Sequence, residues 1–153
     1  AYAGSGALGC EALSRGAASV EFVEKHPKAC EVTRRNVAAT SKTATGVTRV
    51  TQGSAQSYVA VHSGPWDLVF LDPPYAFTQD QILDILCVIT PNLAEGAIVV
   101  VERSSRDAEP AWNSQLRRFA MKKYGETVLY YLEPDESYTD TGSEPAESEN
   151  ASC

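Results

Sequence analysis

Strand and helix patterns alternate along most of the chain, and this alternation constrains the fold more than any other feature. Strand patterns cover residues 19–24, 48–51, 66–71 and 97–102, and helix patterns cover residues 7–15, 26–40, 55–61 and 78–89. Such alternation predicts an α/β fold with a mostly parallel sheet and helices on both faces. In such sheets ligands bind at the carboxyl ends of the strands. The candidate site residues are therefore sought there.

Near both ends of the chain the sequence departs from this alternation of strands and helices. Ala1-Tyr2 has the character of a strand end, so we expect the beginning of this first strand to be absent. Residues 111–119 are expected to be helical, and residues 121–124 and 127–132 to form an antiparallel hairpin around Gly125. The apolar residues 66–71 are expected to form a strand buried on both faces. We expect residues 1–133 to form one domain.

The acidic charge is concentrated at the C-terminus. The 153-residue chain has 13 basic and 20 acidic residues, a net charge of −7. Residues 134–153 contain 6 of those acids and no basic residue, so the remainder has 13 basic and 14 acidic residues, or −1. This acidic tail has little apolar content and is expected to be disordered. A nearly neutral body is compatible with a nucleic-acid partner if its basic residues cluster. Arg117, Arg118, Lys122 and Lys123 are the best candidate for such a cluster.

A glycine-rich turn separates the first strand end from the first helix. Its sequence, Ala3-Gly4-Ser5-Gly6-Ala7-Leu8-Gly9, matches GxGxxG. Glycines allow close approach to a ligand, and the helix start presents free N–H groups. The pattern is typical of a nucleotide site but serves nicotinamide enzymes and methyltransferases alike.

Glu24 ends the second strand, 24 − 4 = 20 residues after Gly4. An acid at this spacing suits hydrogen bonds from ribose hydroxyls. Glu24 is therefore predicted to bind the ribose of a nucleotide held at the glycine turn.

The motif Asp72-Pro73-Pro74-Tyr75 follows the apolar strand directly and separates the two enzyme classes. An amino group on an aromatic base is a poor nucleophile, because its lone pair is delocalised into the ring. The Asp72 carboxylate and the Pro73 carbonyl would accept its two hydrogens, and the prolines would stiffen the loop. Tyr75 would stack on a base taken out of its helix. A nicotinamide enzyme has no need of this motif, whereas an amine methyltransferase does.

With these residues in place, the chain resembles the class I methyltransferases and, over residues 3–36, the RsmD family. The segment Glu11-Ala12-Leu13-Ser14-Arg15-Gly16-Ala17 is the most specific part of the resemblance. That family methylates the N2 amine of a guanine in bacterial small-subunit ribosomal RNA. The resemblance implies a Rossmann-like fold, S-adenosyl-L-methionine as donor and S-adenosyl-L-homocysteine as product. The partner would be this RNA or an assembling small ribosomal subunit.

The resemblance also implies roles for individual residues. Asp72, Pro73, Pro74 and Tyr75 would hold the target amine. The donor would be bound by Ala3, Gly4, Ser5, Gly6, Gly9, Glu24, Ser54 and Ala55. Two features depart from the family pattern. Methyltransferases often place an acid against the adenine amino group after the third strand, where this chain has Ser54. The family also has an N-terminal segment before the glycine turn.

Three alternatives remain open from the sequence. They are a DNA adenine or cytosine amino-methyltransferase, a nicotinamide-dependent oxidoreductase and a non-catalytic nucleic-acid-binding module. We expect neither a metal nor a membrane partner, because no Cys/His cluster has zinc-ligand spacing and no apolar run reaches the length of a membrane span. The four cysteines are expected to be reduced thiols in a cytoplasmic protein.

Overall fold

The structure is a computed structural model, and it describes residues 1–137. Its helices are α1 (Ala7–Ser14), α2 (Pro27–Thr40), α3 (Ala55–Val59), α4 (Gln79–Ile89) and a 3-10 helix (Thr90–Asn92). Its strands are β1 (Ser19–Glu24), β2 (Val47–Gln52), β3 (Trp66–Leu71), β4 (Leu93–Ser104), β5 (Leu116–Tyr124) and β6 (Thr127–Pro134). The chain divides into two compact units, the first formed by residues 1–63 and 70–73 and the second by residues 64–69 and 74 onward.

The first unit contains the glycine turn and the strands that flank it. Strands β1 and β2 pair in parallel from Ser19↔Val47 to Glu24↔Gln52. Helix α2 packs against both strands through its buried side chains Cys30, Thr33 and Val37. The Ala3 N–H donates to the Val23 carbonyl at 3.0 Å, and the Ala1 nitrogen donates to the Phe70 carbonyl at 2.7 Å. Residues 1–3 are thereby hydrogen-bonded to both β1 and β3.

The second unit is built on a sheet with the order β3-β4-β6-β5. Strand β6 pairs antiparallel with β4 and with β5, so the predicted C-terminal hairpin is confirmed and is longer than expected. Alternate β6 residues Val128, Tyr130 and Leu132 are buried, as expected for a strand with one face on a core. Helix α4 begins with the predicted cap, because Thr78 and Gln81 form a capping box.

The predicted helix over residues 111–119 is wrong. Strand β5 begins at Leu116, and residues 111–115 form no helix. The buried Asn113 explains the difference, because its Oδ1 accepts from the Gln115 N–H at 3.2 Å and its Nδ2 donates to Thr90 Oγ1 at 2.9 Å. Asparagine side chains that bond nearby backbone compete with helix formation in this way.

Two strand expectations also need correction. The end of a first strand was expected at Ala1-Tyr2, but Tyr2 has a φ of 58° and is not extended. Strand β3 was expected to be buried on both faces, but Leu68 is 47% exposed. In the strand order of the described residues β3 lies at one edge of its sheet, and its first half, including Asp67 and Leu68, is exposed.

The expected cysteine state holds only in part. Cys10 and Cys30 are free, whereas Cys87 is disulfide-bonded, so the expectation of four reduced thiols is wrong. A lone cysteine in a helix carries no spacing signal that would have indicated this. Within residues 1–137, no helix is both long and apolar enough to cross a bilayer. The expectation of a disordered tail falls mostly on residues 138–153, which lie outside the described residues.

Candidate donor and amine site

The glycine turn places two residues in the left-handed region. Gly4 has a φ of 58° and Gly6 a φ of 79°, which side chains with a Cβ rarely adopt. The Gly6 N–H donates to the Ala3 carbonyl at 2.7 Å and closes the turn. Helix α1 then starts without a side-chain cap and without an acid in its first turn. Its first N–H groups are therefore not used by a capping side chain, which suits a polar ligand.

Glu24 contacts the glycine turn through its carboxylate. Its Oε2 accepts from the Gly4 N–H at 2.8 Å, and its Oε1 accepts from the His26 N–H at 2.8 Å. The residue is only 6% exposed. Each carboxylate oxygen has a second lone pair, so the same group can also accept from ribose hydroxyls. Glu24 thus has the position and the chemistry for its predicted role.

Two residues of α2 hold the other side of the turn, and sequence reasoning missed both. Thr33 Oγ1 donates to the Gly4 carbonyl at 2.8 Å, and Asn36 Nδ2 donates to the Ser5 carbonyl at 2.8 Å. Thr33 is completely buried. The carbonyl oxygens of the turn are therefore fixed towards α2. The signal for this was the three-residue spacing of two polar side chains on one helix face.

Gly9 has a packing role. A Cβ at this position would lie 2.3 Å from Cε1 of the Phe22 ring, so only glycine allows α1 to approach β1 this closely. This contact explains the third glycine of the pattern. A direct contact between Gly9 and a donor stays a prediction.

Ser54 and Ala55 follow β2 next to Glu24. The Gly53 N–H donates to the Glu24 backbone carbonyl at 3.0 Å, which ties this turn to the ribose candidate. Ser54 caps α3, since its Oγ accepts from the Ser57 N–H at 3.1 Å. Its hydroxyl also donates to Ser57 Oγ at 2.8 Å, and Ala55 is buried. The cap occupies the serine hydroxyl that the sequence suggested for the adenine.

Asp72 and Pro73 belong to the same compact unit as the glycine turn. Asp72 is exposed and Pro73 is buried. The negative charges of Glu24 and Asp72 both act on the nitrogen of Ala1. Both carboxylates therefore lie close enough to the first residue to influence it. The structure brings together the glycine turn, Glu24 and Asp72.

Pro74 and Tyr75 belong to the second unit. The Tyr75 side chain is 62% exposed, so its ring is accessible for stacking. The backbone here is held by Arg103, which sequence reasoning also missed. Its guanidinium donates to the carbonyls of Pro74, Tyr75 and Phe77 at 3.1–3.2 Å. The signal was a charged residue at the end of the apolar run in β4.

The predicted basic cluster lies on β5 and is partly neutralised. Arg117 pairs with Glu133 at 2.8 Å, and Arg118 pairs with Glu109 at 2.7 Å. Lys122 lies over the Tyr131 ring, 5.8 Å from its centroid. Among residues 1–137, Lys122 and Lys123 have no ion pair, so they are the strand's accessible positive charges.

A family model described as "Conserved hypothetical protein 95" matches residues 1–133. The chain belongs to this family. The resemblance to the RsmD family is confirmed by a curated relative, "Ribosomal RNA small subunit methyltransferase D" of Escherichia coli K12. It is 33% identical over 111 residues, which are 71% of this chain and 54% of the relative. The protein of the same name from Haemophilus influenzae is 34% identical over 66% of this chain and 53% of its own length.

The fold is also similar to that of a solved structure. The "Putative methyltransferase yhhF" of Escherichia coli superposes with a TM-score of 0.75 at 28% identity, over 88% of this chain and 73% of that one. The predicted class I methyltransferase fold is therefore confirmed. The chain spans about half the length of the curated relatives it matches.

Proposed function

We propose that the protein transfers the methyl group of S-adenosylmethionine to the exocyclic N2 amine of a guanine in small-subunit ribosomal RNA. One observation carries the proposal: the buried Glu24 carboxylate is bonded to the glycine turn in the same compact unit that contains Asp72 and Pro73. A donor site and amine acceptors are both needed for this reaction. The substrate class comes from the family and from the names of the curated relatives.

The residues present fit the adenosyl part of the donor. Glu24 offers a buried acceptor for ribose hydroxyls, and the uncapped start of α1 offers N–H groups. When bound, S-adenosylmethionine supplies an electrophilic methyl group on a sulfonium sulfur. Ala3, Gly4, Ser5, Gly6 and Gly9 would form the loop around it, with Ser54 and Ala55 beside the base. The product is S-adenosylhomocysteine.

The acceptor residues act on the amine. The Asp72 carboxylate and the Pro73 carbonyl would accept its two hydrogens and orient the nitrogen lone pair for methyl transfer. The transfer would form a carbon–nitrogen bond and break the carbon–sulfur bond of the donor, whose electron pair would stay on sulfur. The amine loses one proton, for which the Asp72 carboxylate is the nearest base of the motif. Tyr75 stacks on the extruded base.

Partner and location follow from the same proposal. Lys122 and Lys123 on β5 contact RNA phosphates, with Phe119 and Tyr131 forming an aromatic pair at 6.2 Å between centroids on the same hairpin. The protein works in the cytoplasm, where small ribosomal subunits assemble, and needs neither metal nor membrane.

The test uses the full-length protein with labelled S-adenosylmethionine and unmodified small ribosomal subunits, followed by digestion to nucleosides. We expect labelled N2-methylguanosine from the wild type and a loss of at least about 1,000-fold in Asp72→Ala. Asp67→Ala is the matched control, because this exposed aspartate lies in β3 outside the motif. Label in DNA adenine or cytosine instead would contradict the RNA assignment. Binding of NAD in place of S-adenosylhomocysteine would contradict the methyltransferase itself.

A further inference from the structure

The Arg103 side chain donates hydrogen bonds to three backbone carbonyls of the segment that follows β3. Its Nη1 donates to the Pro74 carbonyl at 3.1 Å, and its Nη2 lies 3.2 Å from the Tyr75 carbonyl and 3.1 Å from that of Phe77. Asp107 Oδ2 lies 3.3 Å from the same Nη2. Two hydrogens on Nη2 are thus shared among three acceptors. The three carbonyls lie 26 to 29 residues before Arg103 in the sequence.

The composition of the segment explains why it needs such a donor. Pro73 and Pro74 have no N–H, so the segment cannot pair with a neighbouring strand in the regular way. One internal bond, from the Phe77 N–H to the Pro74 carbonyl at 2.9 Å, closes a turn. The remaining acceptors need external donors, and a guanidinium presents five N–H groups in a fixed fork.

The burial of Arg103 shows that this arrangement is specific. The residue is 4% exposed, and a buried charge is tolerated only when it is paired and hydrogen-bonded. Asp107 supplies the opposite charge, and its side chain is 43% exposed. The surface arginines Arg15 and Arg35, by contrast, form ion pairs within single helices, and among residues 1–137 they bind no distant backbone.

Arg103 also lines a cleft of about 410 Å³ in the second unit. Tyr75, Phe77 and Arg106 line the same cleft. The guanidinium therefore fixes the backbone that carries Tyr75 at the wall of an open cavity.

We propose that Arg103 is a positioning residue for methyl transfer. It sets the backbone of residues 74–77, and through it the orientation of Tyr75 and of the second proline of the motif. It acts on the turnover step and not on donor affinity, because none of its contacts involves the glycine turn or Glu24. A displacement of about 1 Å in a group that orients substrate lowers the rate by about 100-fold. This inference rests on the proposed function.

The experiment compares Arg103→Met, Arg103→Lys and Arg117→Met in the full-length protein. The measurements are kcat and KM with small ribosomal subunits, the Kd of S-adenosylhomocysteine and the thermal unfolding midpoint. Arg117 is the matched control, because it is exposed and pairs only at the surface with Glu133. Asp72→Ala runs alongside as the test of the reaction itself.

We expect Arg103→Met to lower kcat about 100-fold, with the Kd of S-adenosylhomocysteine within about 3-fold of the wild type. Arg103→Lys keeps the charge but not the fork, so its kcat falls about 10-fold. Added guanidinium ion at low millimolar concentration restores part of the activity of Arg103→Met, and Arg117→Met changes kcat less than about 2-fold.

An unchanged kcat in Arg103→Met would overturn the inference, and so would a loss of donor affinity equal to the loss of kcat. If Arg103→Met does not fold, Arg103→Lys decides: a wild-type kcat overturns the inference, and a lowered kcat with an unchanged unfolding midpoint supports it. An Asp72-dependent wild-type reaction that is indifferent to Arg103 contradicts this inference alone. Absence of any Asp72-dependent reaction contradicts the proposed function.

Discussion

The glycine turn and the proline loop are both held by side chains that donate to backbone carbonyls, but the glycine turn also uses an acceptor side chain. At the glycine turn, the acid Glu24 accepts from a backbone N–H, while Thr33 and Asn36 donate to carbonyls. At the loop after β3, the cation Arg103 donates to three carbonyls. The difference follows from the backbone itself, since glycine keeps its N–H and proline does not.

The difference shows which group each loop leaves free to meet a ligand. Fixing the carbonyls of the glycine turn towards α2 leaves the start of α1 to a polar ligand. The loop after β3 instead has its carbonyls fixed by one buried side chain, while the Tyr75 ring stays exposed. Thr33 and Arg103 are the buried donors of the two loops; both bond backbone carbonyls, and neither is proposed to touch the substrate.

Among the substitutions that test this comparison between the two loops, Glu24→Ala is expected to have the largest effect. The substitution leaves the N–H groups of Gly4 and His26 without their acceptor, which lowers the free energy of unfolding by about 2–3 kcal/mol. It also removes the proposed ribose acceptor, so we expect the Kd of S-adenosylhomocysteine to rise about 100-fold. Chemical denaturation and calorimetry measure the two effects.

The control for Glu24→Ala is Glu31→Ala, an exposed acid in a surface pair with Arg35. Its stability should change by less than about 0.5 kcal/mol. If Glu24→Ala keeps wild-type donor affinity, the glycine turn does not depend on its acid, and the contrast between the two loops fails.

Gly9→Ala should have the next largest effect, a loss of stability caused by overpacking. The added Cβ would meet the Phe22 ring at 2.3 Å, and such overpacking costs about 1–3 kcal/mol of stability. The better helix propensity of alanine offsets up to about 1 kcal/mol of this. Thermal unfolding monitored by circular dichroism gives the change.

Gly53→Ala is the matched control, since a Cβ there meets nothing within 4 Å and its φ is not positive. It should change stability by no more than about 0.5 kcal/mol. A stable Gly9→Ala with strongly weakened donor binding would mean that Gly9 contacts the donor and is not mainly a packing residue.

The first loop could be predicted from sequence and the second only in part. Strand β1 and the cap of α4 have the predicted bounds because periodicity and capping are local properties. The position of Glu24 at the end of β1 followed from a fixed spacing in a known supersecondary unit, whereas its hydrogen bond with the Gly4 N–H was not predicted. Asp72–Tyr75 could be located from its place after β3, but nothing in that motif shows what holds its backbone.

Two of the misses involve contacts between residues far apart in sequence. From its local sequence, Arg103 is only a charged residue near the end of a strand. The three carbonyls that accept its hydrogen bonds lie at least 26 residues earlier. Residues 111–119 have a helical pattern, but Asn113 is bonded to Thr90, 23 residues away, and strand β5 follows. Tertiary hydrogen bonds of this kind override local propensity.

The smallest effect is expected from Pro74→Ala. This substitution distinguishes the rigidity that the proline gives the loop from the hydrogen bonds that Arg103 donates to it. Alanine frees the unfolded chain and lowers stability by about 0.4–1 kcal/mol. Because the carbonyl of residue 74 can still accept from Arg103, kcat should fall no more than about 3-fold, well below the loss in Arg103→Met. Pro91→Ala, in the 3-10 helix, gives the entropic effect without touching the loop. A loss of kcat in Pro74→Ala as large as that in Arg103→Met would show that proline rigidity, and not the arginine, sets the loop.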